Sequence, residues 1–150
     1  MAKINHKVTI TPFLWFENQA EEAAKFYCTV FKNAVILQSS PMIVTCQLEG
    51  QKIMLLNGGP YFKLSEAFSF FIECNTQEEV DYYWEKLSEG GEKSQCGWVK
   101  DKFGVSWQVV PHILGVLMSD PDQAKVKRVS EAMLKMKKLE IDTLLKASEN

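Results

Sequence analysis

Residues that could do chemistry are few and scattered. Cys28, Cys46, Cys74 and Cys96 lie far apart and form no C-x-x-C pair, the spacing that would mark a zinc site or a redox dithiol. His6 and His112 stand in no cluster of other ligands, so neither completes a metal set. The thiols are expected to be reduced and buried or half-buried, and the histidines to be surface or turn residues. Cys96, beside Gly97-Trp98, is the one thiol near a strand face that could hold a ligand. No histidine or cluster of cations neighbours it to lower its pKa. Gly58-Gly59-Pro60 is not followed by a helix-forming run, so it does not read as the nucleotide-binding turn of a doubly wound sheet.

Bulk composition narrows the classes further. The chain has 150 residues, 46% hydrophobic and 24% charged, the balance of an ordinary globular protein with room for a core. A net charge of −2 gives no global electrostatic case for nucleic acid or an anionic membrane as partner. No apolar run approaches the ~20 residues of a membrane helix. The start of the chain carries no apolar stretch of the secretory kind, so the cytoplasm is the expected location.

The elements that would position any site come from an internal repeat. Phe13-Leu14-Trp15 falls on Phe70-Phe71-Ile72, 57 residues on, with Asn18 on Asn75 and Glu21-Glu22-Ala23 on Glu78-Glu79-Val80. Each copy reads as an apolar strand, a polar corner and an amphipathic helix. Ala23, Phe26, Tyr27 and Val30 make one helical stripe, and Val80, Tyr83, Trp84 and Leu87 make the other. Asn18 with Glu21 reads as the cap of the first helix; Asn75 with Glu78, or Thr76 with Glu79, reads as the cap of the second. Gly90-Gly91 and Asn33 are the expected stops.

After each helix the period turns extended. Residues 34–39, 42–48 and 52–56 are predicted strands, as are 92–95, 98–101 and 105–110. Gly50 matches Gly104, an offset of 54, in the last strands. The predicted plan is α+β, with two βαβββ modules at about 8–57 and 66–111, a linker at 58–65 and a helical tail at 112–150. In the tail, Ser119-Asp120-Pro121 reads as a helix start, Val126, Val129, Met133 and Met136 as a buried stripe, and 141–145 as a last short helix. Lysines 125, 127, 135, 137 and 138 with Arg128 form a basic face, either solvated or met by an acidic partner.

This plan resembles the vicinal oxygen chelate superfamily, which includes glyoxalase I, extradiol dioxygenases, and bleomycin and fosfomycin resistance proteins. Within it the chain is similar to the PhnB-like branch, labelled 3-demethylubiquinone-9 3-methyltransferase-like. The resemblance rests on Ile10-Thr11-Pro12-Phe13-Leu14-Trp15-Phe16, Ala20-Glu21-Glu22-Ala23 with Phe26-Tyr27, and Leu56-Asn57-Gly58-Gly59-Pro60. It rests further on Glu78-Glu79-Val80-Asp81-Tyr82-Tyr83-Trp84, Gln95-Cys96-Gly97-Trp98 and Asp101-Lys102-Phe103-Gly104-Val105-Ser106-Trp107-Gln108. It implies one glyoxalase-like domain of two half-barrels and a homodimer. In metal-dependent members, ligands on the first and last strands of each module hold a divalent ion that acts as a Lewis acid.

Carried onto this chain, those four positions are Pro12, Met54, Ser69 and Gln108. Proline offers no donor, methionine is a soft ligand for hard ions, and serine is weak. Only Gln108 could coordinate, so no metal and no other cofactor are expected. A register error of one would substitute Thr11 or Phe13, Ile53 or Leu55, Phe68 or Phe70, and Trp107 or Val109, none an effective ligand. Strand alternation adds Ile10, Leu14, Leu56, Phe71, Ser106 and Val110 to the same face, with Lys52 and Trp98 at its rim. Phe13, Trp15, Phe70 and Trp107 are then expected beneath the helices.

The expected site is therefore an apolar trough with polar handles, its candidates Pro12, Leu14, Met54, Leu56, Asn57, Ser69, Phe71, Trp98 and Gln108. A small organic molecule suits such a surface; closure of the core or burial in a dimer would use the same residues. A metal-free binding protein is the leading expectation, with no residue assigned to catalysis. The alternatives are a lyase, isomerase or dioxygenase of the superfamily, a metal-free catalyst using Gln108 and Ser69, a methyltransferase, and a protein whose apolar surfaces serve dimerisation alone.

Overall fold

The computed structural model describes residues 5–149, in two compact units that divide after Lys63. In the first, β1 (Phe13–Phe16) leads into helix α1 (Ala20–Val30), followed by β2 (Ala34–Ser39), β3 (Ile43–Leu48) and β4 (Gln51–Asn57). The strand order is β1-β4-β3-β2. β1 runs parallel to β4, and the other two pairings are antiparallel. A parallel pair needs a crossover, which here contains α1.

Ala20, Ala23, Ala24, Tyr27 and Val30 of α1 are buried, as are Leu14, Phe16, Val44, Cys46, Leu48, Ile53 and Leu55 of the sheet. The register pairs Leu14 with Leu55, Val44 with Leu55 and Cys46 with Ile53. These residues share one face, and α1 covers it. The other face carries Phe13, Trp15, Thr45, Met54 and Leu56, and no helix of this unit covers it.

The ends of α1 differ from expectation. Gln19 precedes the helix without a side-chain cap bond, and Asn18 does not cap it. The cap comes from Asn57, whose Oδ1 accepts from Ala20 N at 2.9 Å while its Nδ2 donates to Pro41 O at 2.9 Å. Asn33 does not close the helix either. Its backbone N and Nδ2 donate to the Glu49 carboxylate at 2.8 and 3.0 Å, which holds that carboxyl below its ordinary pKa. Glu49 and Gly50, with φ of 47° and 85°, form the two-residue turn between β3 and β4.

Gly58 and Gly59 have a packing role. Trp15 Nε1 donates to Gly59 O at 2.9 Å, and a Cβ on Gly58 would lie 2.3 Å from Trp15 Cε2. Phe62 meets the same indole edge-on with centroids 5.0 Å apart. Much of the expected linker is thus a cover for Trp15.

The second unit repeats the topology, with β5 (Phe70–Cys74), α2 (Gln77–Ser88), β6 (Glu92–Lys93), β7 (Trp98–Lys100) and β8 (Ser106–Pro111) in the order β5-β8-β7-β6. Thr76 caps α2, its side chain accepting from Glu79 N. Val80, Trp84 and Leu87 are buried against Val99, Trp107 and Val109. At the β7–β8 turn the buried Asp101 carboxylate accepts from Phe103 N, Val105 N and Trp107 Nε1 at 2.9, 3.0 and 2.9 Å. That bonding accounts for the Asp101-to-Trp107 motif as structure.

The tail forms α3 (His112–Met118), α4 (Gln123–Leu134) and α5 (Ile141–Glu149). Ser119 ends α3, and Asp122 caps α4 by accepting from Ala124 N and Lys125 N; the expected start at 119–121 is the link between the two helices. Val129 is fully buried while Val126, Met133 and Met136 are half-buried. Val129, Met133 and Met136 pack with Val110, Leu114, Leu117, Leu139 and Leu144 into a core beside the sheet.

Polar bonds stitch this tail to the module. Cys96 N and Gly97 N, both at left-handed residues, donate to Met136 O and Lys137 O at 2.8 Å each. Gln77 Nε2 donates to Leu139 O at 3.0 Å, and its Oε1 accepts from Ile141 N at 2.7 Å. Part of the basic face is spent internally, with Lys138 on Asp81, Lys125 on Asp120 and Arg128 on the carbonyls of Ala147 and Ser148. Among the described residues no helix is long and apolar enough to cross a membrane.

Two consequences are measurable by urea unfolding. Asp101→Ala strands three donors at a buried turn and is expected to cost about 3 kcal/mol; an unchanged midpoint would contradict the role given to this carboxylate. Gly97→Ala places a methyl 2.7 Å from Val109 O at a φ of +84°, and is expected to cost at least about 2 kcal/mol. A loss smaller than that would mean the Gly97 turn does not fix the tail.

Candidate functional site

The open face of the second sheet follows from its register. Phe71, Gln108 and Trp98 lie in one row across β5, β8 and β7. Ser106, Lys100 and Glu92 lie in the next row across β8, β7 and β6. One row is largely apolar and the other polar, and side chains within each stand side by side. Ser69, two residues before Phe71, shares this face by the pleat. Its Oγ accepts from Gln108 Nε2 at 3.0 Å.

A cleft of about 660 Å³ is lined by Trp98, Lys100, Ser106, Glu66, Glu92 and the 94–96 loop, and of the expected candidates only Trp98 lines it. Its polar row has a depth order. Ser106 is 2% exposed, and its Oγ has no hydrogen-bond partner among the described residues. Lys100 is half-buried and pairs with Glu66, whose side chain is 61% exposed. The pairing with Glu66, and then the nearby Glu92 charge, hold the Lys100 ammonium above its ordinary range; the same pair holds Glu66 below its own.

The expected candidates divide on strand parity. Ser69, Phe71, Trp98 and Gln108 share the open face of the second sheet, with Phe71 56% exposed. Met54 and Leu56 lie on the open face of the first. Pro12, Leu14 and Asn57 do not. β1 pairs Phe13 with Met54 and Leu14 with Leu55, so Leu14 is buried beneath α1, and Pro12 shares its parity. Asn57 pairs with Phe16 on that same side and is engaged in capping α1.

The source of the error is specific. Phe13 faces Met54, and Phe71 faces Gln108, so the first strands correspond at an offset of 58, whereas the helices correspond at 57. Phe13 and Trp15 are therefore on the open face, while Phe70 and Trp107 lie beneath α2 as expected. Lys100, Glu66 and Glu92 were not among the expected site residues. Lys100 alternates with Trp98, which was the available signal; Glu66 lies ahead of β5, where no periodicity marks it.

The residues fit neither a metal nor a nucleophilic thiol. With the corrected register, the first- and last-strand positions offer Phe13 or Thr11, Met54, Phe71 or Ser69, and Gln108. Ser69 and Gln108 are bonded to each other, and a divalent ion of the kind the fold family uses is not matched by this set. Among the described residues no three His, Cys, Asp or Glu side chains gather as a metal group. Burial pushes the Cys46 and Cys74 thiols up to about 12 and raises Cys28, so these remain protonated at neutral pH. Cys96, at the cleft, directs its Sγ to Met133 O at 3.5 Å. His112 Nδ1 contacts Glu73 at 3.0 Å on the surface, and His6 is exposed.

Comparison with known proteins agrees with this geometry. The family described as 3-demethylubiquinone-9 3-methyltransferase matches residues 8–110. A solved structure from Bacillus cereus, described as a putative 3-demethylubiquinone-9 3-methyltransferase, PhnB protein, is similar at 31% identity and a TM-score of 0.63, covering 69% of this chain and 99% of that one. The protein PA1353 from Pseudomonas aeruginosa is similar at 20% identity and a TM-score of 0.58, covering 70% and 98%. The fosfomycin resistance protein FosX from Listeria monocytogenes, solved with Mn(II) and sulfate, shares the fold at 17% identity and a TM-score of 0.51, covering 68% and 88%. Among curated proteins none matches the chain. Two βαβββ sheets, a helix on one face of each and this family match together mean that the chain belongs to the PhnB-like, 3-demethylubiquinone-9 3-methyltransferase family.

Proposed function

We propose that this chain is a small-molecule-binding protein that takes an organic ligand on the open face of its second sheet without a divalent metal. The observation that carries the reading is the cleft of about 660 Å³ floored by Trp98 and Ser106. Its volume lies within the roughly 300–1,000 Å³ of ordinary ligand pockets. Trp98 supplies a flat apolar wall, and the polar row beside it supplies a few directed hydrogen-bonding groups. That combination binds and orients a planar molecule.

The donor chemistry supports the metal-free part of the reading. FosX was solved with Mn(II), but a methionine and a glutamine bonded to a serine make a poor divalent site here. Methyl transfer, named in the family description, gains no support from Gly58-Gly59, which seat the Trp15 indole. Ser69 accepts a hydrogen bond from Gln108, an arrangement that does not deprotonate the hydroxyl, so binding is favoured over metal-free catalysis. We extend the proposal to a homodimer acting in the cytoplasm.

A thermal-shift screen of the full chain against planar organic compounds tests this. Hits are expected to raise the melting temperature, and Trp98→Ala is expected to weaken them about 10- to 100-fold, the loss of one large apolar contact. Hits that bind the Trp98→Ala protein unchanged would refute the location, and a screen without hits would refute the function.

A further inference from the structure

The depth order of the polar row identifies the ligand's chemistry, an inference that rests on the binding role proposed above. At the floor stands a hydroxyl, Ser106 Oγ, buried and without a hydrogen-bond partner among the described residues. A buried unpaired polar group is costly and calls for a partner. Directly across the β7–β8 ladder is Lys100, whose side chain is 36% exposed and whose ammonium reaches Glu66. Two residues along the same strand and on the same face is Trp98. The cleft therefore presents a buried hydroxyl and, nearer its opening, an ammonium, with the carboxylates of Glu66 and Glu92 at its exposed rim.

A cation entering this cleft would be held at the rim by Glu66 and Glu92, and would meet the Lys100 ammonium before it reached the serine. An acceptor oxygen would meet two donors. Glu66 already satisfies Lys100 in the way that such an oxygen would. It comes from the segment before β5, outside the sheet, and a solvent-exposed ion pair of this kind is readily exchanged. We propose that the cleft binds a planar organic acid, its ring against Trp98 and its carboxylate accepting from Ser106 Oγ and Lys100 Nζ in place of Glu66. Glu66 is then an internal competitor that sets the affinity, and Ser106 is the anchor that rewards an oxygen ligand.

Calorimetric titration of the full chain with 2-naphthoate, and with the charge-inverted 2-naphthylmethylammonium, tests the assignment. Naphthoate is expected to bind about 10-fold or more tightly than the ammonium, the worth of one charge-assisted bond. Glu66→Gln is expected to tighten naphthoate about 5-fold by weakening the competitor's charge. Ser106→Ala is expected to weaken it about 10-fold while the melting temperature holds or rises, because the variant deletes an unpaired buried hydroxyl. A serine with a purely structural role would show the reverse, a lower melting temperature with unchanged affinity. Equal binding of the two probes, preference for the ammonium, or weaker naphthoate binding in Glu66→Gln would overturn the proposal. Silence from both probes would overturn it too, and a screening hit lost in Trp98→Ala would then show that the wider binding role stands without it.

Discussion

In each unit the constraint on which the rest depends is the parallel pairing of the first strand with the last. It requires a crossover, the crossover contains the helix, and the helix covers one face of a four-stranded sheet. Strand alternation then assigns every side chain to one of two environments. Leu14, Phe16, Ile53 and Leu55 go under α1 and out of water; Phe13, Trp15, Met54 and Leu56 go to the other side. In the second unit Val99, Trp107 and Val109 go under α2, and Trp98, Lys100, Ser106 and Gln108 remain for another purpose. A second face is left to each sheet because one helix cannot cover two.

The second unit spends much of its polar chemistry on keeping that surface in place. Asp101 binds the β7–β8 turn to the Trp107 indole, which fixes the strand bearing Ser106 and Gln108. Cys96 and Gly97 take left-handed conformations so that consecutive amides can grip the tail at Met136 and Lys137. The tail in turn buries Leu139 and Leu144 beside Val110. It lies outside the residues matched by the family, yet it holds the 94–96 loop that forms one wall of the cleft. An accessory segment thereby acts on the site through the backbone, without placing a helix in it.

Much of this order was legible in the amino-acid sequence because the signals were local or repeated. The helical stripes, the Thr76 cap and the change of period after each helix all fall within one or two turns of chain. The register of β1 was not legible. Phe13-Leu14-Trp15 and Phe70-Phe71-Ile72 are apolar on both sides, so alternation cannot choose between faces, and aromatic likeness aligned them one residue out of phase. A shift of one inverts the face, and with Pro12 taken as the inward position from its distance to the helix, alternation carried Leu14 into the expected trough. The cap of α1 was illegible for a different reason, since Asn57 supplies it from 37 residues away. The Lys100–Glu66 pair likewise joins residues with no periodic relation. Long-range polar partners leave no spacing to read, and they supply both a helix end and the rim of the cleft.

The central claim is that the first- and last-strand positions of the two sheets do not make a divalent-metal site, which leaves the proposed role as metal-free binding. Calorimetric titration of the metal-stripped full chain with nickel, zinc, manganese and ferrous ions tests that claim most directly. The account predicts no stoichiometric binding by any of the four, because the first- and last-strand positions supply only neutral hydroxyls at Thr11 and Ser69, the Gln108 amide, and otherwise soft or apolar side chains. One ion bound per chain at micromolar strength or better would contradict it and return metal-assisted chemistry to the open face.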